Sequence, residues 1–250
     1  MEFRIGDVAT RTFGAISRNL TVFIALSGIL VGVPAAFIGL WQVNLDPTEA
    51  PGAVMGAGIL AALVSLVTQY VLQGAIVHGA VVDFNGGRAK FNDCLATGFR
   101  HAGSLFVIAL LMSLGIMLGM IVLIIPGLIL AIMWSVAVPA QIVEDTGVTG
   151  SLGRSRELTR GNRWRVFAVL LIFLVVSILI SVIVAVPAAI FSTPEGAQLT
   201  SAATAATVVA NMVATMLSTV VAAVGAAAIY FELRRAKEGI GAEALAKVFE

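Results

Sequence analysis

The run AGSLFVIALLMSLGIMLGMIVLIIPGLILAIMWSVAVPAQIV, residues 102–143, holds no Asp, Glu, Lys or Arg. As one continuous helix its 42 residues would extend about 63 Å, roughly twice the hydrocarbon thickness of a bilayer. It must therefore turn back on itself. Ile125-Pro126-Gly127 is the expected place, because proline cannot continue the helical hydrogen bonds and glycine tolerates a turn. Read this way, one charge-free run becomes two membrane-crossing helices.

Four further charge-free runs, 20–43, 52–82, 166–193 and 196–231, are each long enough for one crossing. The expectation is an all-α integral membrane protein with six transmembrane helices arranged as three hairpins. The whole composition agrees, since 59% of the 250 residues are hydrophobic, 12% are charged and the mean hydropathy is +1.03. With 15 Lys and Arg against 14 Asp and Glu there is no basic excess to attract nucleic acid. The apolar content excludes a disordered chain, and the single Cys94 excludes an internal disulfide. The first run is longer than a signal-peptide core and follows an organised segment, so the N-terminus is expected to stay attached.

All 15 basic residues fall outside the runs, in the N-terminal segment, in 83–101, in 144–165 and after 231. The other connections, 44–51, the Pro126 turn and 194–195, carry only Asp46, Glu49 and Glu195. That asymmetry places both termini on the cytoplasmic side.

A basic interfacial helix is expected before each hairpin, dividing one membrane domain, 1–250, into units 1–82, 83–146 and 147–250. Arg4, Arg11 and Arg18 recur every seven residues and lie within about 40° of one another on a helix. Ile5, Ala9, Phe13, Ile16 and Leu20 fall opposite, so residues 3–18 should lie in the membrane surface with Phe13 and Ile16 turned down. Glu2 or Asp7 would favour the N-terminus of that helix. The second segment begins at Asn92, a capping residue, and passes Leu95, Phe99, Arg100 and His101 before Gly103-Ser104. The third runs from Gly150 to Arg160, is ended by Gly161, and leaves Asn162 to cap the span that opens Arg163-Trp164-Arg165.

These basic segments satisfy the topology rule without any further role. A functional reading adds anionic lipid or a membrane partner, bound by Arg154, Arg156, Arg160, Arg163 and Arg165 together with Arg234, Arg235 and Lys237 after the last span. Glu144, Asp145, Glu157, Glu232 and Glu238 are near enough in sequence to neutralise part of this charge. The cluster is thus either a binding surface or a staple between inner loops.

No ionised residue sits mid-span; the intramembrane polar residues are Gln69, Gln73, His78 and Asn211, with Tyr70 and Gln141. Gln69, Gln73 and Asn211 suit interhelical hydrogen bonding better than a substrate site. His78 stands about 140° from Asp83 around a continuous helix and would meet it only if the span ended between them. Gly28 and Gly32, Gly52 and Gly56, and Gly115 and Gly119 suit close helix packing, as does a small residue at every fourth position from Ala202 through Ala206, Ala210, Ala214, Ser218 and Ala222 to Ala226. HExxH, CxxC, P-loop and GxSxG motifs are all missing, so no catalytic, metal or cofactor-binding set is expected.

Three stretches carry a family resemblance: LIIPGLIL at 123–130, running into WSVAVPAQIVE at 134–144; SLGRSRELTRGN at 151–162; and YFELRRAKEG at 230–239. Together they resemble the bacterial six-helix membrane domain of glycerophosphoryl diester phosphodiesterases and the related YciC-like inner-membrane proteins. The resemblance implies the six-helix fold, a bacterial inner membrane, and marked positions at Pro126, Pro139, Glu144, the Ser-Arg-Glu-Leu-Thr-Arg-Gly segment and the Tyr-Phe-Glu-Leu-Arg exit of the last helix. The soluble phosphodiesterase barrel that accompanies some of these domains has no room here, so its activity is not expected to carry over. The expected function is a non-enzymatic scaffold or regulator that binds anionic lipid, a membrane partner or a second copy through its small-residue faces. The alternative is a transporter or channel for a small or lipid-like molecule, favoured by the repeated hairpins and by Pro34, Pro126, Pro139 and Pro187, and opposed by the uncharged midplane. A membrane enzyme comes third.

Overall fold

The computed structural model describes residues 3–34, 51–191 and 201–239. Glu2, Asp46, Glu49 and Glu195, and the side chains of Ala202, Ala206 and Asn211, lie outside the described residues. Every described element is helical: α1 (Ile5–Arg18), α2 (Leu20–Ser27) continued by a π-turn over Gly28–Gly32, α3 (Pro51–Phe84), α4 (Phe91–Val122), α5 (Ile124–Trp134), α6 (Ala137–Glu144), α7 (Gly147–Thr159), α8 (Arg163–Phe191) and α9 (Ser201–Glu238). Five segments are long and apolar enough to cross a membrane, Val54–Phe84, Phe91–Val122, Ile124–Glu144, Arg163–Val184 and Met212–Glu238. A sixth arises only if α1 and α2, bent by 77° at their junction, are taken as one. Large exposed apolar side chains, among them Leu110, Leu114 and Leu118 on α4 and Leu174 and Ile178 on α8, suit a hydrocarbon surrounding better than water.

Helices α3, α4, α5, α8 and α9 pack in sequence as a ring that α9 closes against α3. Helix α6 enters the ring at one end and touches α3, α4 and α9. The turn within 102–143 falls at Leu123, which is extended (φ −162°, ψ 145°), and not at Pro126. Pro126 is instead the third residue of α5, where its missing N–H has no intrahelical acceptor to lose. The same device recurs after a second break at Ser135-Val136, with Pro139 the third residue of α6. The α4–α5 hairpin closes on glycine, because a Cβ on Gly119 would stand 2.9 Å from the Gly127 Cα. The α3–α4 contact is closer still: a Cβ on Gly98 would be 2.3 Å from the Val71 carbonyl oxygen.

Other expectations need correction. Gly52 and Gly56 face nothing within 4 Å. The fourth-position ladder on α9 winds round the helix, as its spacing requires, so Ala214 is buried while Ala222 is exposed. A spacing of four drifts about 40° per step and leaves the interface, which closes instead where Gly225 meets the Phe173 ring. The second interfacial helix has no separate existence: α4 passes unbroken through Gly103, with Lys90 and not Asn92 at its N-cap. Burial of Cys94, Gly98 and His101 keeps those first turns helical and outweighs a mid-helix glycine cost of about 1 kcal/mol. The third interfacial helix begins at Gly147, three residues before Gly150.

Helix α1 is present, but it is seated on protein. Val8, Thr12 and Ala15 are buried against the bundle, about 70° round the helix from the arginines. Phe13 and Leu20 remain exposed on the far side, whereas Ile16 packs against the buried core.

Candidate functional site

The ion pairs among the described residues gather at the end of the bundle where α1, α6, α7 and the last turns of α9 meet. There α7 and α9 are joined by alternating charge. Arg154 donates from Nε to both Glu144 oxygens at 2.9 and 3.0 Å, and its Nη2 pairs with Glu238. Arg234 Nε donates to the other Glu238 oxygen at 2.8 Å, Tyr230 Oη donates to Glu144 Oε1 at 2.6 Å, and Lys237 donates to the Glu157 carbonyl. Burial works against the Arg154 charge, but its hydrogen bonds to Glu238 and Glu144 prevail and raise its pKa above the ordinary arginine value. Arg154, Arg234 and Lys237 are thereby brought together across 80 residues of sequence.

The basic stripe of α1 meets its own acids. Arg11 Nε donates to Glu232 Oε1 at 2.5 Å while its guanidinium lies 4.7 Å over the Phe231 ring, and Arg235 approaches the same Glu232 at 3.7 Å. Arg18 grips both Asp83 oxygens at 3.0 and 2.5 Å, and Asn19 Nδ2 adds a third bond to Asp83 at 2.8 Å. The Asp83 hydrogen bond raises the Arg18 pKa. Asn19 is buried and also accepts from the Ala89 N–H, so the elbow between α1 and α2 is tied to the α3–α4 loop. A cleft of about 630 Å³ opens beside it, lined by Arg18, Thr21, Asp83 and Arg88.

The remaining candidates are dispersed. Arg4, Arg156 and Arg160 are exposed, and their side chains pair with none of the described residues. Arg165 donates to the Phe3 carbonyl at 3.2 Å, whereas Arg163 keeps a buried Nε without a hydrogen bond. His78 does not meet Asp83, which Arg18 and Asn19 occupy; its electrostatic neighbours are Asp93 and His101. Gln69 Nε2 reaches Thr219 Oγ1 at 3.4 Å, and Gln69, Tyr70 and Gln73 line a cavity of about 500 Å³. Asn211 lies on α9.

Sequence reasoning missed the inward face of α7. The break between α5 and α6 frees backbone groups, and Ser155 takes two of them, donating to the Met133 carbonyl at 2.7 Å and accepting from the Val136 N–H at 3.3 Å. Ser151 donates to buried Gln141 at 2.6 Å, and Thr159 reaches the Met133 carbonyl at 3.5 Å. Ser151, Ser155 and Thr159 recur every four residues, a polar stripe present in the sequence but interleaved with arginines. This end of the molecule pairs its charges with one another and fixes helices; among the described residues no group of three or more His, Cys, Asp or Glu side chains could hold a metal ion.

Residues 56–233 match the family model described as Domain of unknown function (DUF7847), and the chain belongs to that family. No curated protein and no solved structure matches it.

Proposed function

We propose that the protein is a non-enzymatic scaffold or regulator of a bacterial inner membrane, with both termini cytoplasmic, whose charged end recruits anionic lipid head groups. One observation carries this reading: the arginines of a single segment divide into two sets. Arg154 is held by Glu144 and Glu238, while Arg156 and Arg160 stand exposed and unpaired among the described residues. Trp164, 83% exposed, lies four residues beyond Arg160, and tryptophan favours the head-group layer. A cation near an anionic membrane surface contributes about 1 kcal/mol, so two of them correspond to a preference of roughly tenfold or more.

Purified protein in uncharged detergent, titrated with phosphatidylglycerol against phosphatidylcholine, tests this. Arg156→Gln with Arg160→Gln should abolish the preference for the anionic lipid and its weakening by salt, with thermal unfolding unchanged. Retention of both in the double variant overturns the proposal. The second reading, transport of a small or lipid-like molecule, draws on the polar cavity beside Gln69 and Gln73.

A further inference from the structure

The cavity between α3, α4, α8 and α9 lies at the depth of the membrane-crossing segments and is lined by Gln69, Tyr70, Gln73, Ser177, Ser218 and Thr219. Hydrocarbon offers a polar group no partner, so side chains of this kind normally bond to one another or to a neighbouring helix. Here only Gln69 and Thr219 meet, at the long distance of 3.4 Å. The Tyr70 hydroxyl, the Gln73 amide and the Ser177 and Ser218 hydroxyls bond to none of the described residues. Tyr70 is nonetheless held in place, edge-on to Phe106 at 5.8 Å between ring centres. Among the described residues, no charged side chain lines the cavity. Phe106 and Leu110, flanking Ala109 in its wall, and Leu174 and Ile178, flanking Ser177, are exposed apolar residues.

We infer that this cavity binds the uncharged, hydrogen-bonding head of a neutral lipid, such as the hydroxyl and ester carbonyls of a diacylglycerol. The two glutamine amides supply N–H donors for carbonyl oxygens, and the glutamine oxygens and serine hydroxyls accept from an alcohol. The exposed apolar residues beside the wall give acyl chains a surface to lie on. An ionised head group would leave water without a countercharge and is disfavoured on that ground. The cavity volume falls within the range of small-molecule sites. The inference does not rest on anionic-lipid binding at the charged end, which uses other residues.

The test uses the full chain in phosphatidylcholine nanodiscs containing a photoreactive diacylglycerol, with cross-links mapped by mass spectrometry. Saturable labelling of the segments around Gln73 and Ser177 is expected, displaced by unlabelled diacylglycerol. Gln69→Leu with Gln73→Leu should reduce it about fivefold or more, the loss expected for one or two hydrogen bonds. Should that variant fail to fold, Tyr70→Phe with Ser218→Ala gives a second measurement with the same expected direction. Arg156→Gln with Arg160→Gln should leave it unchanged. Labelling that does not saturate, that persists in the folded cavity variants, that is equalled by photoreactive phosphatidylglycerol, or that is displaced by glycerol alone overturns the inference, the last by pointing to a water-soluble polyol.

Discussion

Helices α1 and α7 are both short, both carry arginines and both lie across the charged end, yet they turn opposite chemistries inward. Helix α1 sends Arg11 and Arg18 to Glu232 and Asp83 and leaves Phe13 outside. Helix α7 turns Ser151, Ser155 and Thr159 inward and leaves Arg156 and Arg160 outside. The difference lies in what each one covers. Beneath α1 are the ends of α3 and α9, whose buried carboxylates need positive charge. Beneath α7 is the break between α5 and α6, whose freed backbone groups need neutral donors and acceptors. The inward face of such a helix follows the unmet needs of its neighbour as much as its own apolar pattern.

The largest effect expected from breaking this contrast is at Ser155. Ser155→Ala removes only the hydroxyl and leaves the Met133 carbonyl and the Val136 N–H without that partner. At about 1–3 kcal/mol for each buried group left unpaired, the loss should be several kcal/mol and visible as a marked fall in Tm. Thr159→Val should cost much less, because its bond to the same carbonyl is long at 3.5 Å and its hydroxyl is otherwise satisfied by the Ser155 carbonyl at 2.9 Å. Equal costs at the two positions would mean that the break is held by something other than Ser155.

The corresponding lesion under α1 is Asp83→Leu, which takes one of three hydrogen bonds from the buried Asn19 side chain and releases Arg18. Removing one partner of a fully buried ion pair costs about 3–5 kcal/mol, but the Arg18 side chain is 61% exposed and can return to water, so about 1–3 kcal/mol is expected. Hydrogen exchange should quicken in α1 and at Ala89 while α7 stays protected. Unchanged exchange at Ala89 would contradict the tie between the elbow and the α3–α4 loop.

The helices themselves were legible because a bilayer forbids charge over about 20 residues, and that constraint is written locally. The gaps between charges locate all five apolar segments, and Pro126 marks its hairpin to within three residues. The break at Leu123 was not legible, since leucine carries no turn signal; the position depends on Gly119 meeting Gly127, a contact between two helices. His78 and Asp83 could have met only across a break between them; the helix runs on through both, and the partner of Asp83 is Arg18, 65 residues away. Arginines at 154, 156 and 160 read alike as a string, and the positions of Glu144 and Glu238 in the fold distinguish the first from the other two.

Smaller effects sharpen the contrast from outside. Arg156→Gln and Arg160→Gln should each change stability by no more than about 0.5 kcal/mol, as exposed substitutions do. Arg154→Gln should exceed them, because it leaves Glu144 and Glu238 facing one another across α6 and α9. Thermal unfolding of the three variants side by side is the measurement, and a flat series would remove the distinction between held and free arginines.

The smallest expected change, at Phe13, bears on whether the bundle or the bilayer seats α1. The apolar pattern alone suggests that Phe13 and Ile16 act together to hold the helix in the membrane surface. The structure gives them different surroundings: Phe13 is 47% exposed, while Ile16 packs against both core clusters. Phe13→Ser should therefore leave stability in detergent within about 0.5 kcal/mol of the parent, and trypsin should still spare Arg11 and Arg18. Ile16→Ser removes a packed side chain and should expose both sites to cleavage, at a cost of about 2 kcal/mol. In liposomes the order should be the same, because Val8, Thr12 and Ala15 continue to hold α1 on the bundle when Phe13 is gone. If Phe13→Ser instead frees α1 in liposomes while Ile16→Ser does not, the bilayer holds this helix and its ion pairs to Glu232 and Asp83 follow from that placement.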